Sequence, residues 1–331
     1  MPFGSDSKEQ TPSDNALEPA GHRKLKIGLA LGAGVARGWA HIGVLRGLAC
    51  AGIVPDVIAG TSIGAVVGGA YASNNLDALE DWAFSLKNSS FFRFLDLKLS
   101  GSGLFGSDRL ESLMHDRFGD VTFEDLSIPF TAVACDLKTG HEVWLDSGAL
   151  SDGLRASFAL PGVFEPQNIR GQWLVDGALV NPVPVSVCRA AGCDMVIAVN
   201  LAEDIYGRAR AAKAGALDTT SYGVFDDLET LANEPQAKER SFFQKLFRHK
   251  KDAPSLFTNM VASLNIMQNR LSRSRLAGDP PDVTITPRCG HIGLMEFHRC
   301  HELIEEGNRA FDTALPQLKD AIAIIRHRIN T

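Results

Sequence analysis

The chain has 331 residues, of which 45% are hydrophobic and 22% charged, so it is a globular chain with room for one large or two smaller domains. Its 33 Lys and Arg residues against 39 Asp and Glu give a net charge of −6, which argues against a nucleic-acid partner. The six cysteines are dispersed and form no Cys-x-x-Cys pair, which favours a reducing, cytoplasmic location. No run of 18 apolar residues occurs, so no membrane-spanning helix is predicted.

The first 24 residues are polar and rich in Ser, Pro and acidic residues. They lack the apolar centre that a secretory signal needs, so we interpret 1–24 as a disordered leader. A single α/β domain over 25–331 is predicted to follow it.

Two strand-turn-helix units open this domain. The apolar run 26–31 predicts a strand that ends in a glycine-rich turn, and apolar residues at helical spacing in 39–51 predict a helix. A second strand is predicted at 57–59, followed by a turn at 60–64 and a helix at 65–72.

Further elements are predicted along the rest of the chain. The strands lie at 130–135, 141–145, 173–175, 195–200 and 281–287, and the helices at 259–275, 297–310 and 316–328. Strands without apolar alternation that are separated by helices are typical of a mostly parallel central sheet with helices on both faces.

The segment 202–253 changes in composition and is interpreted as a variable insertion or cap outside the core. Within it, 242–251 combines three Phe residues with a basic cluster. This pattern fits an ordinary solvated helix with its Phe residues on the core, and it also fits peripheral contact with an anionic membrane.

The strongest chemical signal is the sequence Gly60-Thr61-Ser62-Ile63-Gly64 between a predicted strand and a predicted helix. A G-x-S-x-G turn in this position holds a nucleophilic serine in a strained conformation above the sheet. The alternative is a tight turn in which Ser62 only caps the helix.

A second glycine-rich loop, 31–38, also connects a strand to a helix. Backbone amides in such a loop can form an oxyanion hole if its strand lies next to that of Ser62. The competing interpretation is a dinucleotide-binding fingerprint, but that pattern requires an acidic residue at the end of the next strand, and Asp56 precedes that strand instead. Arg37 in this loop is assigned either to a phosphate head group or to packing.

A nucleophilic serine needs a base, and none of the nine histidines has a suitable context. The spacing of Cys289, His291, His298, Cys300 and His301 matches no standard zinc site, so these residues are assigned to surface or packing roles.

A carboxylate is the remaining candidate for the base. Asp176-Gly177 directly follows a predicted strand, at the place where open α/β sheets carry their sites. Asp152-Gly153 has no such strand before it, and Asp152 is predicted to cap a helix over 154–158.

Together, the segments 31–38, 60–64 and 176–178 resemble the patatin-like phospholipase family, in particular its bacterial members. The segments 156–162 and 181–185 are similar to the family as well, and the likeness extends over about 26–200. The resemblance implies that Ser62 is the nucleophile and Asp176 the general base of a Ser-Asp dyad that hydrolyses lipid acyl esters, as in a phospholipase A or lysophospholipase. It also implies that no cofactor or metal is needed. The oxyanion loop falls on Gly32, Ala33, Gly34, Val35, Ala36, Arg37 and Gly38, and the flanking motif residues are Gly60, Gly64, Gly177 and Ala178.

Three positions depart from the family pattern. The family loop often reads Gly-Gly-Gly-x-Arg/Lys-Gly, whereas Ala33 and Val35 replace two of these glycines here, and Ala178 stands where Gly is common. The changes to Ala33 and Val35 remove no amide, so the hole is retained if Val35 adopts the required backbone angles. An acyl thioesterase, and a regulatory or adaptor protein that keeps the fold with little turnover, remain the alternatives.

Overall fold

A computed structural model describes residues 23–86, 96–97, 105–106, 119–202 and 256–331. Within these ranges the chain forms one eight-stranded sheet and a separate pair of two-residue strands. The strands are β1 (Ile27–Leu31), β2 (Val57–Thr61), β3 (Asp96–Leu97), β4 (Phe105–Gly106), β5 (Phe130–Asp136), β6 (Glu142–Leu145), β7 (Gln167–Ile169), β8 (Gln172–Asp176), β9 (Met195–Val199) and β10 (Val283–Ile285).

Seven α-helices accompany the strands in the described part of the chain. They are α1 (Ala40–Cys50), α2 (Ile63–Ala72), α3 (Leu76–Ser85), α4 (Leu150–Ser157), α5 (Val185–Ala190), α6 (Leu256–Gly278) and α7 (Cys300–Ile329). Short 3-10 helices occur at Val35–Trp39, Phe123–Asp125, Gly177–Leu179 and Phe297–Arg299. None of these helices combines the length and the apolar composition that a bilayer span requires.

The main sheet has the strand order β10-β9-β1-β2-β5-β8-β7, and β6 pairs with β5 as well. The strands from β10 to β5 run parallel to one another, whereas β6, β7 and β8 are antiparallel to their neighbours. The predicted α/β fold with a mostly parallel sheet is therefore confirmed, with an antiparallel extension at one end. Because β1 and β2 are neighbours, the two glycine-rich loops leave the sheet side by side.

The pairing of β5 brings the end of β2 to the end of β8. Val133 and Ala134 of β5 both pair with β6 along one edge of β5. Each of them also pairs with a second strand: Val133 with Thr61 of β2, and Ala134 with Asp176 of β8. Since a strand has only two edges, β2 and β8 share the edge opposite β6 and meet end to end. Ser62, which follows Thr61, and Asp176 therefore lie at the same point.

Helices cover both faces of the sheet, as predicted. The larger core contains the apolar faces of α1, α2 and α7 together with side chains of β1 and β9, such as Leu29 and Ile197. The smaller core joins Val185 and Cys188 of α5 to Ala59 and Val196 on the opposite face of the sheet.

The C-terminal helices predicted at 297–310 and 316–328 are in fact one helix, α7, with Pro316 inside it. A proline removes one helical hydrogen bond and usually ends a helix. Here Phe311 and Leu318, one on each side of Pro316, are both buried in the core. The continuous apolar face compensates for the lost hydrogen bond, so the helix passes through the proline.

The prediction that Asp152 caps a helix is also wrong. Helix α4 begins at Leu150 with Ala149 at its N-cap position, so Asp152 lies inside the first turn. Its carboxylate is 3.7 Å from the guanidinium of Arg155. A carboxylate in the first turn is still favourable, since it faces the positive end of the helix dipole.

The predicted leader and insertion lie almost entirely outside the described residues. Of the leader, Arg23 and Lys24 are described, and they form ion pairs with Asp194 and Asp56. Of the insertion, only Ala202 is described, and its stretch 242–251 lies outside.

The contact between α1 and α7 depends on glycines. A Cβ atom on Gly43 would lie 2.1 Å from the carbonyl oxygen of Ile304, and one on Gly307 would lie 2.0 Å from that of Ala40. We expect Gly43→Ala to lower the free energy of unfolding by about 1 to 3 kcal/mol, because the two helix backbones must separate. Gly278→Ala at the end of α6 is the control, since no atom lies within 4 Å of its Cβ position. Thermal unfolding of the two variants tests this, and equal melting temperatures would contradict it.

Candidate active site

Ser62 is the single residue between the end of β2 and the start of α2. Its backbone has φ 59° and ψ −127°, a conformation that costs a residue with a side chain about 1 to 3 kcal/mol. Two hydrogen bonds hold this turn. The amide of Ser62 donates to the hydroxyl of Ser157 at 2.9 Å, and the hydroxyl of Thr61 donates to the carbonyl of Asn181 at 2.8 Å.

The side chain of Ser62 faces the end of β8. Its Oγ donates a hydrogen bond to Oδ2 of Asp176 at 2.6 Å, and both side chains are buried. Ser62 occupies the N-cap position of α2, but its hydroxyl makes no capping hydrogen bond. The interpretation of Ser62 as only a helix cap therefore does not match the geometry.

Both carboxylate oxygens of Asp176 accept hydrogen bonds. Oδ1 accepts a hydrogen bond from the amide of Ala178 at 2.8 Å, while Oδ2 accepts from Ser62. The backbone amide of Asp176 donates to the carbonyl of Ala159 at 3.0 Å. Burial raises the pKa of Asp176 to about 7, because the loss of hydration of the charged form outweighs the two hydrogen bonds that favour it.

Ser157 is a site residue to which the sequence analysis assigned no role. Its hydroxyl donates to the carbonyl of Val133 at 2.6 Å and accepts from the amide of Ser62. It thus links the end of α4 to β5 and to the strained turn. The residue lies in a segment that resembles the family, but an isolated serine at a helix end carries no sequence signal for this contact.

The glycine-rich loop after β1 is anchored by its own backbone. The amides of Gly32, Ala33 and Ala36 donate to the carbonyls of Val199, Pro182 and Leu294 at 2.8–3.0 Å. In the part of the chain that the structure describes, the amides of Gly34 and Val35 have no backbone acceptor.

Val35 has a φ of 51°, in the left-handed region that a β-branched residue rarely adopts. The family pattern places glycine here, and this chain retains the glycine-like conformation with a valine. The backbone strain therefore lies at the residue that carries one of these two amides.

The loop contacts the turn that carries Ser62. A Cβ atom on Gly64 would lie 2.3 Å from the carbonyl oxygen of Leu31, and one on Gly38 would lie 2.2 Å from the side chain of Ile63. Only glycine permits so close an approach at these two positions. The other two motif glycines flank the same turn and the end of β8, at Gly60 and Gly177.

Arg37 is buried, and its Nε donates to the carbonyl of Ile292 at 2.8 Å. This contact ties the glycine-rich loop to the segment before α7 and favours the packing role over the phosphate role. Within the described ranges, no three His, Cys, Asp or Glu side chains are grouped as metal ligands. His291 pairs with Glu302, and His301 stacks on Phe84.

Comparison with known proteins gives matches over this same region. The family model for patatin-like phospholipase matches residues 29–189. Uncharacterized NTE family proteins of Mycobacterium tuberculosis and Mycobacterium bovis are 32% identical over 342 residues, which covers 92% of this chain and 95% of each relative.

Two further matches are more distant or more partial. Neuropathy target esterase sws of Drosophila melanogaster is 34% identical over 208 residues, 61% of this chain and 14% of that protein. The crystal structure of VipD from Legionella pneumophila aligns with a TM-score of 0.37 at 12% identity, over 92% of this chain and 80% of that chain.

The raised pKa of Asp176 predicts a pH-dependent stability. The folded protein binds a proton at this carboxyl more tightly than the unfolded chain, so the free energy of unfolding falls as the pH rises from about 4 through about 7. The side chain of Asp176→Asn cannot ionise. The free energy of unfolding of this variant relative to wild type should therefore increase over this pH range, by about 1.4 kcal/mol for each unit by which folding raises the pKa of Asp176. Urea unfolding at pH 4, 6 and 8 measures this, and a difference that is constant with pH would contradict it.

The backbone of Ser62 predicts a difference between two substitutions. Both Ser62→Gly and Ser62→Ala remove the hydroxyl, but only glycine adopts a φ of 59° without strain. We expect Ser62→Gly to be more stable than Ser62→Ala by about 1 kcal/mol, as measured by thermal unfolding. If the alanine variant is the more stable of the two, the turn is not strained.

Proposed function

Because the chain belongs to the patatin-like phospholipase family, we propose that it is a serine hydrolase that cleaves lipid acyl esters, with Ser62 as nucleophile and Asp176 as general base. The observation that carries the proposal is the 2.6 Å hydrogen bond from Ser62 Oγ to Asp176 Oδ2 in a buried site. A nucleophile needs a base within hydrogen-bond reach, and this contact supplies one.

Acylation begins when Ser62 Oγ attacks the acyl carbonyl carbon and its proton moves to Oδ2 of Asp176. The carbonyl oxygen becomes negatively charged and accepts hydrogen bonds from the amides of Gly34 and Val35. The tetrahedral intermediate collapses, the proton passes from Asp176 to the leaving alcohol, and an acyl-enzyme remains. Water then attacks the carbonyl carbon of the acyl-enzyme and gives a proton to Asp176. As the second tetrahedral intermediate collapses, this proton passes to Ser62 Oγ, and the fatty acid and the free serine are released.

The environment of Asp176 suits this role near neutral pH. An ordinary aspartate has a pKa near 3.9 and is a weak base at pH 7. With its pKa raised to about 7, Asp176 can both accept and release a proton near neutral pH. The strained φ of Val35 supports the loop's role too, since such strain clusters at functional sites.

The substrate class is the acyl ester of a lipid, of the phospholipase A or lysophospholipase type. The name of one relative, neuropathy target esterase, agrees with ester cleavage. An acyl thioester presents the same carbonyl to the same serine, so a thioesterase is the nearest alternative.

The test is hydrolysis of p-nitrophenyl esters of increasing chain length, a lysophospholipid and an acyl-CoA. We expect Ser62→Ala and Asp176→Asn to lower kcat/KM by about 1,000-fold or more, since both belong to one reacting unit. Ser127→Ala and Asp152→Asn are matched controls that lie outside the site and should keep wild-type activity.

Each outcome distinguishes one function from another. Preference for the lysophospholipid or the long-chain esters supports the lipid esterase, and preference for acyl-CoA replaces it with a thioesterase. A folded wild type without activity, or Ser62→Ala with full activity, would overturn the proposal in favour of an adaptor protein.

A further inference from the structure

His41 is a fully buried histidine near the start of α1, surrounded by the apolar core. Its Nε2 lies 2.7 Å from the carbonyl oxygen of Gly32, the first residue of the glycine-rich loop. Because a carbonyl only accepts hydrogen bonds, Nε2 must carry the proton and donate it. His41 therefore connects α1 directly to the loop.

The other ring nitrogen of His41, Nδ1, is buried, and no group among the described residues donates a hydrogen bond to it. A buried polar atom without a hydrogen bond is unfavourable, and a leucine or methionine at this position would avoid that cost. Packing of the core therefore does not account for an imidazole here, whereas the hydrogen bond to Gly32 does.

The contact between His41 and Gly32 lies directly before the amides of Gly34 and Val35, which have no backbone acceptor among the described residues. The peptide group between Gly32 and Ala33 is held at its carbonyl by His41 and at its N–H by the carbonyl of Pro182, 2.8 Å away. The orientation of one peptide plane restricts the next, so holding this peptide limits how Gly34 and Val35 can turn.

We propose that His41 is a positioning residue that orients the glycine-rich loop so that the amides of Gly34 and Val35 can donate hydrogen bonds to the oxyanion. The inference rests on the proposed function, since it assigns His41 to the same site. Burial lowers the pKa of His41 to about 4, so the ring is neutral near pH 7 and keeps this donor unchanged.

The test compares two substitutions of similar shape. His41→Gln keeps an N–H donor near the position of Nε2, and His41→Met has none. We expect His41→Met to lower kcat by about 10- to 100-fold for a long-chain p-nitrophenyl ester, with little change in KM, because misplaced donors weaken only the transition state. His41→Gln should restore most of this kcat.

The control is Ile42→Val, the neighbouring buried residue of α1. This substitution lowers stability because it removes a buried methylene group. It should keep the wild-type kcat per folded molecule, where thermal unfolding gives the folded fraction. If His41→Met behaves like Ile42→Val, or if His41→Gln is as slow as His41→Met, the positioning role is wrong. If the wild type shows no Ser62-dependent hydrolysis, the proposed function fails and this inference fails with it.

Discussion

The site depends on one constraint, the end-to-end meeting of a parallel strand, β2, and an antiparallel strand, β8, on the same edge of β5. This arrangement places Ser62 and Asp176 in contact although 114 positions separate them. A shift of one residue in the register of β8 would turn Asp176 to the opposite face of the sheet. The hydrogen bond from Ser157 to the carbonyl of Val133 reinforces β5 at this junction.

Three features of the candidate site are unfavourable for the stability of the folded protein. Ser62 and Val35 both adopt positive φ values, and Asp176 is a buried carboxylate with a raised pKa. Surrounding contacts hold these residues, such as the close approach of Gly64 to Leu31 and the hydrogen bond from the amide of Ser62 to Ser157. Such a balance is expected where a rigid fold holds reactive groups in place.

Much of the fold, and the proximity of Ser62 to Asp176, could be predicted from the sequence, because these features have local signals. The turn around Ser62 and the Asp-Gly pair at Asp176 stand beside apolar runs that mark strand ends, and the resemblance to a family linked them. The contacts of Ser157 with Ser62 and of His41 with Gly32 could not be predicted, since each joins two different elements of the fold. The continuity of α7 through Pro316 was missed for a similar reason, because tertiary packing overrides local preference.

If Asp176 activates Ser62 as proposed, the rate at which a fluorophosphonate labels Ser62 depends on the protonation state of Asp176. Peptide mapping by mass spectrometry identifies the labelled residue, and the rate is measured from pH 5 to pH 9. We expect labelling at Ser62 with a rate that rises with pH around a midpoint near 7, where Asp176 loses its proton. Labelling elsewhere, or a rate at Ser62 that is unchanged in Asp176→Asn, would contradict it.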